Sequence, residues 1–173
     1  DGIVTRLCYF GPDAPPGPQA VLPGSYQGSL VTALVFDPDG ATFLVGTETG
    51  SVQRWQVEPP QLLWQTNFPN NRVAAINVFS NGPPIVTLLS NTVLVRRDHY
   101  LQDVRLWQVG ATNWLQTIRP DLAVFSTALT PDGQHLFTVL RVPHDLPPYN
   151  PTYYTNHVAL WRVSDGKLLV RYD

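Results

Sequence analysis

The sequence predicts an all-β fold built from three copies of a four-stranded unit, and three observations lead to it. The chain has 173 residues, of which 43% are hydrophobic, which is enough apolar material for a packed core. Its 17 prolines and 12 glycines separate short runs of Val, Leu and aromatic residues, as turns separate strands. Three segments with a shared pattern also follow one another along the chain.

The first unit, residues 30–57, contains three predicted strands joined by tight turns. Its first strand ends at residues 37–40, where the sequence Asp-Pro-Asp-Gly places glycine at a position that needs a positive φ. Residues 43–47 are the second predicted strand, and a Gly-x-Val-x-x-Trp segment ending at Trp55 is the third. A fourth apolar run, residues 61–66, follows after a short break. The first unit therefore predicts four short strands.

The second unit, residues 72–109, repeats this order. Its turn is the Ser-Asn-Gly at residues 80–82, its third strand contains Trp107, and a fourth strand is predicted at residues 113–118. An insertion separates the second strand from the third. The turn and the tryptophan thus keep their order, although this unit is longer than the first.

The third unit, residues 123–163, has its Thr-Pro-Asp-Gly turn at residues 130–133, and its third strand contains Trp161. It also carries an insertion before the third strand, and a fourth strand is predicted at residues 167–172. Without the insertions, each unit occupies roughly 40–45 residues, a repeat length typical of a propeller blade with four antiparallel strands.

The pattern shared by the units resembles the WD40 repeat of β-propellers. In its fullest form, in the first unit, it reads hydrophobic-x-x-hydrophobic-x-Phe-x-Pro-Asp-Gly, then Phe-Leu-Val-Gly-Thr, then Gly-x-Val-x-x-Trp. Residues 105–107 (Arg-Leu-Trp) and 159–161 (Ala-Leu-Trp) match the end of that repeat, and residues 1–7 resemble its Asp-Gly-Thr-Val-Arg-Leu-Trp strand. The resemblance implies a partial β-propeller of about three four-stranded antiparallel blades.

The units depart from the family pattern in their polar residues. The Trp-Asp pair is missing, because the residues after the tryptophans are Gln56, Gln108 and Arg162. The usual Gly-His pair is absent, and Thr49, Leu101 and Thr155 stand near the aspartate position. By this resemblance the buried Asp-His-Ser/Thr-Trp network of many WD40 blades cannot form here. We therefore expect apolar packing and tryptophan stacking to hold the blades.

Divided by sequence unit, the chain is one WD40-like array. Residues 1–18 are an outer strand and a proline-rich connection, 19–57, 61–109 and 113–163 are blades, and 167–172 are the outer strand of a next blade. Propellers usually have four to eight blades, so three are too few for a ring. We expect a sector of a larger propeller or assembly, completed by protein partners or by other copies or segments.

Two long insertions, residues 90–102 and 141–156, provide the candidate binding residues. They are rich in Tyr, Arg and His, which are enriched at recognition surfaces. Both fall between a second and a third strand, so we expect them on the same side of the blades. The alternative, ordinary connections with self-packed tyrosines, stays open. The candidate partner-binding residues are Arg96, Arg97, His99, Tyr100, His144, Tyr149, Tyr153 and Tyr154.

Charge and composition exclude several classes of partner. With a net charge of −2, the chain lacks the excess of positive charge that binding to nucleic acid or an anionic membrane requires. No apolar stretch approaches the roughly 18 residues of a membrane span, and no signal peptide is visible. The single cysteine, Cys8, excludes an intrachain disulfide, and proline disqualifies the near-sequon at residues 150–152. These features favour a cytoplasmic location.

Neither a metal nor a cofactor is predicted. His99 and His144, with Asp98 and Asp145, could hold a metal only if the two insertions touched, which their spacing does not require. The sequence contains no nucleotide-binding or hydrolase motif. The residues at the starts of the innermost strands are a poor catalytic set: Ser29, Leu30, Arg72, Val73, Leu122 and Ala123.

The sequence therefore predicts a non-catalytic WD40-like protein-interaction or scaffold module, with Trp55, Trp107 and Trp161 in structural roles. Two alternatives remain: a small-ligand-binding or enzymatic propeller with an axial site, and a purely structural assembly subunit. Fold resemblance does not choose among them, because propellers host all three.

Overall fold

The chain forms strands and turns, with no helix, over residues 29–80, 82–90, 93–96, 99–143 and 154–172, which a computed structural model describes. Over the same ranges, no helix has the length and apolar character needed to cross a membrane. The strands are β1 (Val31–Phe36), β2 (Thr42–Thr47), β3 (Ser51–Gln56), β4 (Gln61–Asn67), β5 (Asn71–Phe79), β6 (Gly82–Ser90), β7 (Val93–Arg96), β8 (His99–Leu101), β9 (Val104–Gln108), β10 (Gln116–Ile118), β11 (Ala123–Leu129), β12 (His135–Pro143), β13 (Tyr154–Arg162) and β14 (Leu168–Tyr172).

These strands form three four-stranded antiparallel sheets and one small hairpin. The first sheet has the order β1-β2-β3-β4, the second β5-β6-β9-β10 and the third β11-β12-β13-β14, while β7 pairs with β8 alone. Each sheet is a meander in chain order, except that the β7–β8 hairpin is inserted between β6 and β9. The predicted all-β fold with three four-stranded antiparallel blades is confirmed.

The assignment of fourth strands to blades needs a correction. β4 pairs with β3, β10 with β9 and β14 with β13, so each fourth strand completes the preceding sheet. The sequence division placed residues 61–109 and 113–163 in single blades and 167–172 in a next blade, which is wrong at these edges. A short turn after each third strand returns the chain alongside that strand, where antiparallel pairing is available at once. The sheets extend over residues 31–67, 71–118 and 123–172.

Apolar side chains pack in two layers between neighbouring sheets. The layer between the first and second sheets consists of Leu44, Val52, Val73, Ile76, Val86, Leu88 and Trp107. The layer between the second and third sheets consists of Ile85, Leu89, Val104, Leu106, Ile118, Val124, Leu129, Leu136, Leu140, Ala159, Trp161 and Val163. Full burial of one such side chain contributes roughly 1.5–3 kcal/mol, so these layers stabilise the array.

The inner strands of the first two sheets approach each other closely at Gly46. A Cβ atom on Gly46 would lie 2.3 Å from Cγ1 of Val73. The hydroxyl of Thr32 donates a hydrogen bond to the Val73 carbonyl oxygen at 2.7 Å, which joins β1 to β5. Glycine at position 46 thus lets the two sheets pack at this distance.

Both predicted insertions are partly strand rather than loop. β12 runs to Pro143 and β13 starts at Tyr154, and the two strands pair along their whole length. The connection from β6 to β9 contains the β7–β8 hairpin. Two extended segments that leave a sheet side by side can continue to form antiparallel backbone hydrogen bonds. The strand pairing therefore extends into both insertions.

The turn between β1 and β2 is held by the carboxylate of Asp37. This residue is 8% exposed, its Oδ2 lies 2.7 Å from Nη2 of Arg54, and it accepts a hydrogen bond from the hydroxyl of Thr42. Gly40 adopts a φ of 68°, as the sequence predicted for this turn. The Asp-Pro-Asp-Gly segment thus joins two strands, and Asp37 ties it to β3.

Replacing Asp37 with alanine is expected to lower the free energy of unfolding by about 1–3 kcal/mol, because Arg54 and Thr42 lose a buried charged partner. Urea denaturation measures this loss. Asp39→Ala in the same turn is the matched control, since Asp39 is exposed and accepts only a local hydrogen bond from the Ala41 amide. Equal losses for the two variants would contradict a special role for Asp37.

Candidate interaction surface

The connections between strands leave the sheets on two opposite sides. We call one side the turn side, because it carries the β5–β6 and β11–β12 turns. On this side, a Cβ atom at Gly133 would lie 3.5 Å from the Phe79 ring and 3.6 Å from Ile85. This proximity aligns the β5–β6 and β11–β12 turns. On the other side, the connection side, the Phe68 amide donates a hydrogen bond to the Gly50 carbonyl at 2.9 Å. The long connections β6–β9 and β12–β13 both leave from the connection side.

The β7–β8 hairpin extends from the second sheet towards the third. β8 contacts β11, the first strand of the third sheet. At the base of this connection, the Ser90 amide donates to the Asp103 carbonyl at 3.0 Å, and the Asp103 amide donates to the Ser90 hydroxyl at 2.8 Å. These bonds fix both ends of the insertion on the scaffold.

Asp103 is also the centre of a charged cluster beside the β10–β11 connection. Its Oδ1 lies 3.6 Å from Nε of Arg119, and its Oδ2 lies 3.5 Å from Nη2 of Arg105. The Arg105 guanidinium lies 5.5 Å from the centre of the Trp114 ring. Arg119 is 80% exposed, so its guanidinium remains available to another molecule.

A second ion pair holds the other end of the same connection. Nη2 and Nη1 of Arg171 lie 2.5 and 3.2 Å from the two carboxylate oxygens of Asp121. The hydrogen bond from Arg171 lowers the pKa of the Asp121 carboxyl below its ordinary value, because it stabilises the charged form. We define the connection surface as Asp103, Arg119 and Asp121 together with the β7–β8 hairpin.

The structure describes the positions of four of the eight predicted binding residues. Arg96 ends β7, His99 and Tyr100 belong to β8, and Tyr154 begins β13. These positions lie in the two connections that leave from the connection side. The other predicted residues lie outside the described residues; they are Arg97, His144, Tyr149 and Tyr153.

Sequence reasoning missed Arg119 and Asp121. They belong to a short connection, whereas the predicted binding residues lie in the long insertions. A signal was present, because the Arg-Pro-Asp run at residues 119–121 stands between a fourth strand and the next first strand, where the chain must cross from sheet to sheet. Charged residues at such a crossing are therefore candidates for binding, as residues in a long insertion are.

The three tryptophans occupy equivalent register positions. Trp55, Trp107 and Trp161 lie in β3, β9 and β13, each the third strand of its sheet, and are only 3%, 8% and 6% exposed. Their cross-strand partners on the second strands are Phe43, Val86 and Leu136. The repeat alignment and the hydrogen-bond registers therefore agree.

Each indole nitrogen has a different hydrogen-bond acceptor. Trp55 donates to the Gln53 side chain at 3.0 Å, Trp107 to the Ala111 carbonyl at 2.9 Å and Trp161 to the Thr138 hydroxyl at 2.9 Å. Only the Trp161–Thr138 bond corresponds to a link of the Ser/Thr-Trp network that the resemblance describes. The blades therefore have individual polar contacts instead of one repeated network.

No metal site was predicted, and whether His99 and His144 approach each other lies outside the described part of the chain, which does not include His144. Among the described residues, no group of three or more His, Cys, Asp or Glu side chains could hold a metal ion.

Comparison with known proteins supports the fold at low sequence identity. No family model matches the chain, and no curated protein matches it. The β-propeller domain of Cps50 (Swd1) from Myceliophteria thermophila has a TM-score of 0.62 at 13% identity, covering 94% of this chain and 51% of that one. The computationally designed Ika4 protein has a TM-score of 0.53 at 19% identity, covering 84% and 74%.

A second computationally designed protein, Ika8, has a TM-score of 0.51 at 18% identity. The match covers 82% of this chain and 36% of the Ika8 chain, so this chain corresponds to about a third of that protein and half of the Swd1 domain. Together with the three stacked sheets, these likenesses define a β-propeller-type fold.

Proposed function

We propose that this chain is a non-catalytic protein-interaction module of the WD40-repeat type, which binds a protein partner through its connection surface. One observation carries the proposal: the long connections and the 80% exposed Arg119 meet on one side of three packed sheets. Loops held by a rigid scaffold are common binding elements, because little order must be gained on binding.

The chemistry of the connection surface favours a protein partner. Arginines alternate with the carboxylates of Asp103 and Asp121, so the surface presents both signs of charge at close range. A protein with complementary charges fits such a surface, whereas nucleic acid binding needs an excess of positive charge. The net charge of −2 likewise disfavours binding to nucleic acid.

The WD40 assignment rests on the repeated position of the tryptophans. Trp55, Trp107 and Trp161 hold the same register in successive sheets, and each precedes a turn into the fourth strand. The Pro-Asp-Gly turn occurs in the first and third units, and the Phe-Ser-Asn-Gly segment replaces it in the second.

Arg119→Ala is expected to weaken partner binding by roughly 2 kcal/mol, about 30-fold in affinity, if Arg119 is an interface anchor. The partner would be recovered from source-cell extract by affinity capture on the chain and its affinity measured with each variant. A photo-cross-linking side chain at Tyr100 would show independently whether the partner lies over β8.

Arg162→Ala is the matched control. Arg162 is also an exposed arginine paired with an aspartate, Asp165 at 3.2 Å, but it lies on the turn side. Its replacement is expected to leave the affinity unchanged. A loss for Arg162→Ala with none for Arg119→Ala, or no cross-linked protein from Tyr100, would contradict the proposed surface.

A further inference from the structure

Three buried oxygen atoms in the layer between the second and third sheets have no hydrogen-bond partner among the described residues. They are the hydroxyl oxygens of Thr87 and Thr127 and the side-chain amide oxygen of Asn77. Buried polar groups in folded proteins nearly always have a partner, either in the protein or in an ordered water molecule. These three oxygens therefore indicate a site for a ligand that hydrogen-bonds to them.

Strand register shows that the two oxygens of the second sheet point into this layer. Thr87 lies between Ile85 and Leu89 on β6, and side chains two positions apart on a strand share a face. Both of these neighbours belong to the layer between the second and third sheets. Asn77 on β5 is the cross-strand partner of Ile85, so its side chain lies on the same face.

The third sheet directs its hydroxyl towards the same layer. Thr127 on β11 is the cross-strand partner of Thr138, which lies between Leu136 and Leu140 on β12. Both leucines belong to the layer, so Thr127 also faces the second sheet. The Thr138 hydroxyl already accepts a hydrogen bond from Trp161. Because β5 contacts β11, the oxygens of Asn77 and Thr127 come from facing inner strands.

The equivalent positions between the first and second sheets are apolar. When the sheets are aligned on their tryptophans, Thr87 corresponds to Leu44 of the first sheet, and Thr127 corresponds to Val73 of the second. Leu44 and Val73 are both 0% exposed and belong to one apolar layer. Sheet packing alone therefore does not account for hydroxyl groups at these two positions.

We infer that the layer between the second and third sheets binds an ordered water molecule, held by the Thr87 and Thr127 hydroxyls and the Asn77 amide oxygen. Buried water molecules typically make about three hydrogen bonds to such groups. The water donates one hydrogen bond to Asn77 and one to a threonine hydroxyl, and it accepts one from the other hydroxyl. The site is internal, so the inference does not depend on the proposed partner surface.

The spacing of the two groups on the second sheet suits a bridging water. Ala75 pairs with Thr87 and Asn77 pairs with Ile85, so Asn77 and Thr87 are diagonal neighbours on adjacent strands. Diagonal neighbours lie about 7–8 Å apart, and their side chains approach more closely. Two hydrogen bonds of about 2.8 Å each let one water join oxygens up to roughly 5–6 Å apart. Direct contact between the two side chains is not required.

The chemistry of the site favours water over an ion. Its three oxygens are neutral, and the buried side chains of this layer are apolar. A buried cation needs more oxygen ligands and normally a carboxylate, and a buried anion needs a positive partner. A water molecule needs only two to four polar partners, which these residues provide.

Thr87→Val tests the site, because it removes the hydroxyl and nearly preserves the side-chain volume. If the hydroxyl binds water, the folded-to-unfolded ratio in urea denaturation is expected to fall by about threefold to tenfold, since one hydrogen bond is lost. If the hydroxyl has no partner, replacing it with a methyl group should leave the ratio unchanged or raise it. That second result would overturn the inference.

Ser51→Ala is the matched control. The Ser51 hydroxyl oxygen is also buried and has no partner among the described residues, but it is the only such side-chain oxygen in the described first sheet. Without a second oxygen to share a water, we expect this variant to lose no stability. A loss as large as that of Thr87→Val would overturn the assignment of the effect to a bridging water.

Combining Thr87→Val with Thr127→Val tests whether one water joins the two sheets. The loss for the double variant is expected to be smaller than the two single losses together, because the first substitution already weakens the binding of the shared water. Additive losses in folded variants would refute the shared site.

Magnetic relaxation dispersion of water oxygen nuclei provides a measurement that needs no destabilised variant. It counts the water molecules that stay inside a folded protein for longer than its tumbling time. We expect the wild-type chain to hold at least one such water and the Thr127→Val variant to hold fewer. A wild-type chain without a long-lived internal water, or an unchanged count in folded Thr127→Val, would overturn the inference.

Discussion

Trp107→Ala is expected to lower the free energy of unfolding by about 3–5 kcal/mol, the usual cost of removing a buried aromatic side chain. Trp107 is 8% exposed and belongs to the layer between the first and second sheets. Its ring meets Trp64 edge-on at a centroid distance of 6.4 Å and Phe68 at 5.0 Å. Removing it therefore opens a cavity where two sheets join and breaks two aromatic contacts.

The measurement is chemical denaturation followed by tryptophan fluorescence and circular dichroism. Trp114→Ala is the control, because Trp114 is 38% exposed and makes only peripheral contacts with Phe68 and Arg105. We expect this control to lose less than half as much stability as Trp107→Ala. Similar losses would mean that Trp107 is not a special contact between the sheets.

Gly50→Ala is expected to cost about 3 kcal/mol or more, for two separate reasons. Gly50 has a φ of +82°, where an L-residue other than glycine costs roughly 1–2 kcal/mol. Its Cβ position also lies 2.3 Å from the Phe68 carbonyl oxygen and 2.6 Å from that of Asn71. Both obstacles are backbone atoms, so relieving the overlap requires movement of the β4–β5 connection, at roughly 1–3 kcal/mol.

Gly40→Ala separates the two reasons. Gly40 also lies in a turn between strands, with a φ of +68°, but no atom lies within 4 Å of its Cβ position. We expect this variant to lose only the roughly 1–2 kcal/mol of the backbone term. Thermal or urea unfolding of the two variants measures the difference, and an equal loss would show that the connection yields to the added methyl group at little cost.

The sequence was most informative about local structure. The short apolar runs and the Pro-Asp-Gly turns predicted strands and reversals that the structure contains, because those features depend on neighbouring residues alone. The tryptophan repeat also predicted the shared register of Trp55, Trp107 and Trp161.

The candidate surface was less predictable. The sequence indicated residues in the long insertions, such as Tyr100 and Tyr154, since composition marks them directly. The Arg-Pro-Asp run marks Arg119 as a charged residue at a crossing between sheets, but its pairing with Asp103, 16 positions earlier in the chain (119 − 103), is seen only in the folded structure. Long-range electrostatic pairing depends on the crossing between sheets, and no local pattern encodes that geometry.

Local sequence features are enough to specify short antiparallel strands in three repeated units, because apolar runs and turn residues act over a few positions. The assignment of each fourth strand to a sheet, and the choice of which faces are covered, depend instead on how the sheets pack in three dimensions. Phe137, Leu106 and Leu44 all occur in strands with similar apolar content, yet Leu106 and Leu44 are 0% exposed and Phe137 is 37% exposed. The difference arises because a side chain is buried only where another sheet packs against its face of the sheet. The sequence of a strand does not show whether such a neighbouring sheet is present.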